Sequence, residues 1–285
     1  MIIEVYGISG SGKSTLLRAC IATLKKQRVD VCCRGEAQFI GFSRRFCAWA
    51  PIGGLDALKH RVSRGVARCP YPFGDRLLRT MWPSGYCGDR QALLAWFIDA
   101  FYEPYDVLLR SACTRPHSDR ARRQRIQQFH ADCMLYANLL CTPIHGTVLI
   151  DEGFFQKFLT LHAIFAVEGE EPGPIATDYL AQVPRIDAAI WVDTDPAICI
   201  RRMEARGILM DEFYEAPLEQ RPDLAKRLYR YAESLHAEAT ARGLCTARIS
   251  NNETDMAPAV EQTCAFIREL QAEARGEEVF EEQEP

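Results

Sequence analysis

The sequence lacks several signatures that would place it in a familiar class. Its twelve cysteines form no Cys-x-x-Cys pair and no Cys/His spacing typical of zinc, so we expect reduced thiols and neither a zinc site nor a dithiol motif. The most apolar stretch, residues 92–109, contains Asp99, Glu103 and Asp106 and is too charged for a membrane span. Because the chain begins directly with a strand-like segment, we expect no secretory leader and a cytoplasmic location.

Glycine, by contrast, is concentrated near the N-terminus. Residues 7–14 read Gly-Ile-Ser-Gly-Ser-Gly-Lys-Ser, the Gly-x4-Gly-Lys-Ser spacing of a phosphate-binding P-loop. The apolar run Ile2–Tyr6 before it predicts a buried strand, and the run Ser14–Lys26 after it predicts a helix. Backbone N–H groups and the helix dipole then converge on one anion site. We therefore expect the phosphates of ATP to be bound by Gly7, Ser9, Gly10, Ser11, Gly12, Lys13, Ser14 and Thr15.

Three carboxylates are candidates for the chemistry at this site. Asp151 and Glu152 follow the apolar run 147–150, and Glu36 follows the second predicted strand. An acid at such a position binds the metal or takes a proton from the acceptor. We expect Lys13 to reach the β- and γ-phosphates, and Ser14 and Asp151 to hold Mg²⁺. Glu36 or Glu152 is the expected base, and the sequence leaves open which of them serves.

Strand-like and helix-like segments alternate along the chain. Five strands are predicted, and helices between them indicate an α/β fold with a doubly wound parallel sheet. A large helical insertion, about residues 40–145, separates strands 2 and 3, and we assign residues 1–275 to one domain and 276–285 to an acidic disordered tail. The predicted strands are Ile2–Tyr6, Val29–Arg34, Thr147–Ile150, Ala188–Val192 and Leu244–Ile249, with helix-like runs at Asp89–Phe101 and Arg120–Leu140.

An arginine-rich helix follows the fourth predicted strand. Pro196 suits the first turn of that helix, which carries Arg201, Arg202 and Arg206. Arg202 and Arg206 are four residues apart and share a face. Arginines on a mobile segment, about residues 200–215, are expected to act as a lid that stabilises the charge of the transferring phosphoryl group, with Arg201 contacting the nucleotide.

The stretch 186–211 resembles the corresponding part of thymidylate kinases and deoxynucleoside kinases. In those enzymes a strand ends in an Asp-x-x-Pro-like turn, and the next helix ends in Arg-x-Arg-Gly or similar. Here residues 193–196 read Asp-Thr-Asp-Pro and residues 201–207 read Arg-Arg-Met-Glu-Ala-Arg-Gly. The resemblance implies ATP-dependent phosphoryl transfer, with Glu36 as base. Residues 151–153 read Asp-Glu-Gly, so the arginine that the family carries after its third strand is missing.

The resemblance does not cover the insertion, which in that family contacts the acceptor. Residues 40–145 hold fifteen Lys and Arg against eight Asp and Glu, and five arginines lie between positions 115 and 125. Arginines interleaved with aromatic residues suit phosphates and unstacked bases. This charge favours a hydroxymethyl pyrimidine in DNA, as in phage-type 5-hydroxymethyluracil DNA kinases, over a free nucleoside or monophosphate. A phage-encoded chain would then act in the host cytoplasm.

Two alternative functions involve no phosphoryl acceptor. A P-loop ATPase fits the apolar run that ends at Asp151 and Glu152. The sequence, however, contains neither the Asn-Lys-x-Asp motif for guanine nor the Leu-Ser-Gly-Gly-Gln signature of transporter ATPases. A scaffold protein with a degenerate site is disfavoured by the intact Lys13 and Ser14.

Overall fold

The computed structural model describes residues 1–48, 65–66, 69–81, 83–114, 119–142, 144–166, 169–207 and 218–276. Arg115, the predicted lid beyond residue 207 and the predicted tail beyond Gly276 lie outside these ranges. Among the described residues, no helix is both long and apolar enough to cross a bilayer.

Five parallel strands form one sheet in the order β2-β3-β1-β4-β5. This sheet, with its helices and P-loop, confirms the predicted doubly wound α/β fold with a helical insertion between β2 and β3. The strands are β1 Ile2–Tyr6, β2 Val31–Cys33, β3 Thr147–Ile150, β4 Ala188–Asp193 and β5 Cys245–Ser250.

The second strand is shorter than the predicted Val29–Arg34. The Val29 N–H donates to the Leu24 carbonyl at 2.9 Å and closes the end of the preceding helix, so it is withdrawn from the sheet. Arg28 has a φ of 61°, which turns the chain there. At the other end, Arg34 already begins the next helix.

The described helices are α1 Lys13–Lys26, α2 Arg34–Ala48, α3 Phe73–Met81, α4 Pro83–Ala100, α5 Tyr102–Thr114, α6 Asp119–Cys141, α7 Phe154–Leu161, α8 Pro172–Gln182, α9 Pro196–Ala205, α10 Arg221–Ala241 and α11 Ala257–Arg275. The predicted runs 89–101 and 120–140 lie almost entirely within α4 and α6. The helix predicted from Ser14 to Lys26 starts one residue earlier.

The chain divides into two compact units. The first contains Met1–Ile2, Cys32–Ile150 and Ala181–Arg185, and the second contains Ile3–Val31, Asp151–Leu180 and Ile186–Pro285. The assignment of residues 1–275 to a single domain stays a prediction.

In the first unit, α6 packs against α2, α4 and α5. The side chains of Phe97, Phe129 and Tyr136 are fully buried there. Arg45 of α2 holds Asp89 of α4 with two parallel hydrogen bonds, Nε to Oδ1 at 2.7 Å and Nη2 to Oδ2 at 2.8 Å. Its Nη1 also donates to Asn138 of α6 at 2.8 Å, so one guanidinium joins three helices.

In the second unit, β4 lies between β1 and β5 with Ile3 opposite Ala188 and Asp193 opposite Ser250. Strand β4 is buried almost throughout, as its continuous apolar run predicts. Asp195 caps α9 by accepting hydrogen bonds from two backbone N–H groups of its first turn. At this β4–α9 junction, the Thr194 hydroxyl donates to the carbonyl of Ser11 in the P-loop at 3.2 Å.

Candidate active site

The P-loop is held in a conformation that depends on glycine. Gly10 has a φ of 85°, and a Cβ there would lie closer than 3.0 Å to the backbone carbonyl of Cys199 in α9. Both the left-handed backbone and the close approach exclude a side chain. The Ser11 N–H donates to the Ile8 carbonyl at 3.1 Å, which closes the loop on itself. Glycine geometry and this hydrogen bond therefore define the shape of the loop.

The end of the loop offers unused polar groups to an anion. No described side chain caps the N-terminus of α1, and its first turn contains no acid. The hydroxyl of Ser11 is buried without a hydrogen-bond partner among the described residues. A buried donor without a partner is costly, and a phosphate oxygen would satisfy it. The loop thus fits a phosphate chemically as well as in sequence.

Lys13 points back along the P-loop. Its ammonium donates to the carbonyls of Gly7 at 2.9 Å and Ile8 at 3.3 Å. Burial lowers the pKa of Lys13 from 10.5 to about 8, and the charges of Glu152, Cys199 and Asp151 act in the opposite direction. A triphosphate bound nearby would favour the charged form of this lysine and raise its pKa again.

The predicted acids Asp151 and Glu152 form a turn between β3 and α7. Asp151 is partly buried and Glu152 is exposed. The negative charges of Glu152 and Asp151 raise the pKa of Lys13. The acidic turn therefore interacts electrostatically with the P-loop. Among the described residues, no group of three or more His, Cys, Asp and Glu side chains is arranged to hold a metal ion. Any Mg²⁺ here would rely on few protein oxygens, together with phosphate and water, as is usual for this ion.

Two polar residues of the site were not predicted from the sequence. Glu4, in the apolar strand β1, is buried and accepts hydrogen bonds from the N–H groups of Phe154 and Phe155. Gln156 of α7 is also buried and accepts a hydrogen bond from the Gly7 N–H at 3.2 Å. The only sequence signal was a charged residue inside an otherwise apolar strand.

The three arginines at the C-terminal end of α9, where Arg206 is the C-cap, differ in their surroundings. Arg201 and Arg206 are exposed. Arg202 instead donates to the carbonyls of Asn251 at 3.0 Å and Glu253 at 2.9 Å, in the loop after β5. Asn251 in turn donates to the Ser11 carbonyl at 2.6 Å. Arg202 therefore holds the loop after β5, and that loop in turn contacts the P-loop through Asn251. The sequence did not predict this contact.

Asp193 and Asp195 are already engaged in the structure. Asp193 pairs with Arg248 at 2.9 Å, and the guanidinium lies 4.5 Å from the centre of the Trp191 ring. Because Asp195 caps α9, both carboxylates serve the fold in this state.

Glu36 lies in the first turn of α2, in the first unit. The hydroxyl of Tyr71 lies over Gly35, where a Cβ would meet it closer than 3.0 Å. Burial raises the pKa of Tyr71, and among smaller causes the Glu36 charge raises it too. Glu36 thus follows the second strand, as predicted, and lies on a helix beside a tyrosine.

The first unit also contains a small cleft between α2, α4 and α6. Its enclosed volume is about 20 Å³, which is room for about one water molecule and far below the size of a pocket for an organic ligand. It is lined by Gln38, Phe42, Arg45, Asp89, Arg90, Leu93, Met134 and Asn138. An aromatic ring, an amide and charged groups therefore converge in one place.

Several arginines of the insertion are paired with nearby acids. Within the insertion, ion pairs join Arg45 to Asp89, Arg79 to Asp75, Arg110 to Asp106 and Arg122 to Asp119, and Arg34, just before it, pairs with Asp132. These arginines are engaged with acids and are less available to the phosphates of a polyanionic partner, although the pairs leave the net charge of the insertion unchanged.

Comparison with known proteins gives a distant structural likeness. No protein-family model matches the chain, and no curated protein matches it. A deoxyadenosine kinase from M. mycoides with bound dCTP superposes with a TM-score of 0.40 and 12% identity over 94% of this chain and 100% of that one. The same kinase with dCMP and a flexible dCDP gives 0.40 and 13% over 95% and 100%. TT1252 from Thermus thermophilus gives 0.35 and 14% over 96% and 97%.

Proposed function

We propose that this chain is an ATP-dependent phosphotransferase that moves the γ-phosphoryl group to a hydroxyl of a nucleotide-type acceptor. The observation that carries the proposal is the P-loop, in which Lys13 is influenced by the charges of Glu152 and Asp151. The buried Ser11 hydroxyl supplies a further group for phosphate. A loop of this kind binds nucleotide, and an adjacent carboxylate provides for metal or proton chemistry.

In this mechanism, charged and polar side chains act on the phosphates of ATP and on Mg²⁺. Lys13 neutralises the β- and γ-phosphates, and Ser14 and Asp151 hold Mg²⁺. When bound, that ion neutralises charge on the phosphate oxygens. Arg201 and Arg206 approach from α9, and Arg202 acts through the loop after β5.

The chemical step is a displacement at phosphorus. The acceptor oxygen forms a bond to the γ-phosphorus while the bond to the β–γ bridging oxygen breaks, and the electron pair leaves with ADP. The acceptor proton passes to a carboxylate, for which Glu36 and Glu152 are the two candidates.

For the acceptor, we favour a free nucleoside or nucleoside monophosphate over a hydroxymethyl pyrimidine in DNA. Arginines of the insertion that already hold acids, such as Arg45 and Arg110, are less available to the phosphates of a polymer, which supports a small acceptor. The preference for DNA, which rested on the excess positive charge of the insertion, is revised for this reason.

The proposal is tested by transfer of label from γ-³²P-ATP to nucleosides, monophosphates, plain DNA and hydroxymethyl-pyrimidine DNA, with a reaction lacking acceptor. Lys13→Ala should lower turnover about a hundredfold or more, because a charge contact to the transferring group is lost. Lys26→Ala, at the exposed end of the same helix, is the matched control. Near-normal transfer by Lys13→Ala would contradict the mechanism.

The other outcomes identify the alternatives. Label on modified DNA that disappears steeply as salt rises would restore the DNA acceptor. Free phosphate alone, with every acceptor, would make the protein a P-loop ATPase.

A further inference from the structure

A buried carboxylate caps the helix that follows the acidic turn. Glu4 is 1% exposed, and its Oε1 accepts from the Phe154 N–H at 2.9 Å while its Oε2 accepts from the Phe155 N–H at 2.7 Å. A buried carboxylate requires such partners, and the positive end of the helix dipole adds to them. The N-cap of α7, Gly153, has no side chain to do this. The cap therefore comes from a strand about 150 residues earlier in the chain.

Gly153 is required for space rather than for backbone freedom. Its φ of −103° is accessible to any residue. A Cβ at this position, however, would lie closer than 3.0 Å to the carboxyl carbon and both oxygens of Glu4. The missing side chain is what allows the carboxylate to approach the two N–H groups.

A second contact returns from α7 to the P-loop. Gln156, 7% exposed, accepts a hydrogen bond from the Gly7 N–H at 3.2 Å. Strand β1 carries Glu4 and leads directly into Gly7, so strand, helix and loop form a closed ring of contacts. Asp151 and Glu152 directly precede Gly153 in the chain, so the acidic turn is attached to this ring of contacts.

We propose that Glu4 and Gln156 are positioning residues that hold the Asp151-Glu152 turn against the P-loop. The inference rests on the proposed function, in which this turn contributes a metal ligand and a candidate base. If this inference holds, removing one of these contacts weakens the use of Mg²⁺ more than it lowers the amount of folded protein. Mutation of residues that orient metal ligands typically changes metal affinity or activity about 10–100-fold.

The experiment compares two variants that disrupt the contact between Glu4 and the start of α7, one by changing Glu4 and one by changing Gly153. Glu4→Gln keeps the size of the side chain but removes its charge and one acceptor, whereas Gly153→Ala keeps the charge and displaces the carboxylate. Gly173→Ala is the matched control, because no described heavy atom lies within 4 Å of the added methyl group. Each is measured for ATP binding by calorimetry across a Mg²⁺ titration, for phosphoryl transfer, and for melting by far-UV circular dichroism.

We expect both variants to need about 10–100-fold more Mg²⁺ for half-maximal tightening of ATP binding. In the absence of Mg²⁺, their ATP affinity should stay close to wild type. The double variant should be no worse than the poorer single variant, because both changes break one contact. A Glu4 that served only stability would lower the melting temperature and leave the Mg²⁺ requirement of the folded protein unchanged.

Should both variants fail to fold, Gln156→Met tests the same ring while leaving the carboxylate cap in place. It is expected to weaken ATP binding about tenfold, since the Gly7 N–H loses its acceptor. Wild-type Mg²⁺ dependence in the folded Glu4 and Gly153 variants, or wild-type ATP affinity in Gln156→Met, overturns the positioning role. If the wild-type protein binds no ATP, or Lys13→Ala behaves like wild type, the proposed function and this inference fail together.

Discussion

Replacing Gly10 by alanine tests whether the conformation of the P-loop depends on glycine. The residue has a φ of 85°, and an alanine in the left-handed region costs about 1 kcal/mol or somewhat more. The added methyl group would also meet the carbonyl, the carbonyl carbon and the Cα of Cys199, none of which can rotate away. Overpacking of this kind costs about 1–3 kcal/mol. We expect Gly10→Ala to lower the free energy of unfolding by about 2–4 kcal/mol in total.

Gly169 provides a matched control within the same chain. Its φ is also 85°, but no described heavy atom lies within 4 Å of an added Cβ. Gly169→Ala should therefore lose only the backbone contribution, about 1 kcal/mol. The difference between the two variants isolates the contact with Cys199. Urea denaturation followed by far-UV circular dichroism measures both.

Nucleotide affinity gives the second readout for this pair. If the loop must shift to accommodate the methyl group, Gly10→Ala should bind ATP at least about tenfold more weakly, whereas Gly169→Ala should bind normally. Equal losses of stability in the two variants would refute the contact with Cys199. Unchanged ATP affinity in Gly10→Ala would refute the need for the observed loop conformation.

Two further predictions concern buried charge and pH. Asp89→Ala should lower the free energy of unfolding by about 2–3 kcal/mol in urea denaturation, because it leaves the Arg45 guanidinium partly buried without its carboxylate; a loss confined to the range of an exposed pair would contradict this. Burial, and then the Arg248 charge, lower the pKa of His236 below 6.5. The unfolded chain therefore binds this proton more tightly, so the stability contribution is present above pH 6.5 and is lost as the pH falls through the folded pKa. His236→Gln should melt with a shallower dependence on pH below 6.5 than wild type, and an unchanged slope would contradict the assignment.

The P-loop and the individual strands were predictable because each is a local pattern of the sequence. Residues 7–14 form the loop through glycine conformations and the helix that starts at Lys13. The strands read as short apolar runs separated by helices, which is the pattern of a parallel sheet. Where a boundary moved, as at Val29, the cause was a local hydrogen bond to Leu24 that competes with the sheet.

What only the tertiary structure decided is the partner of each polar side chain. Glu4, read from the sequence as part of an apolar strand, caps a helix 150 residues away. Arg202, expected at the γ-phosphate, donates to carbonyls after β5. Arg45, one of many basic residues, joins three helices. The type of a residue determines how many hydrogen bonds its side chain can make. It does not determine the partners, because the packing of helices and strands decides which distant residues lie within reach.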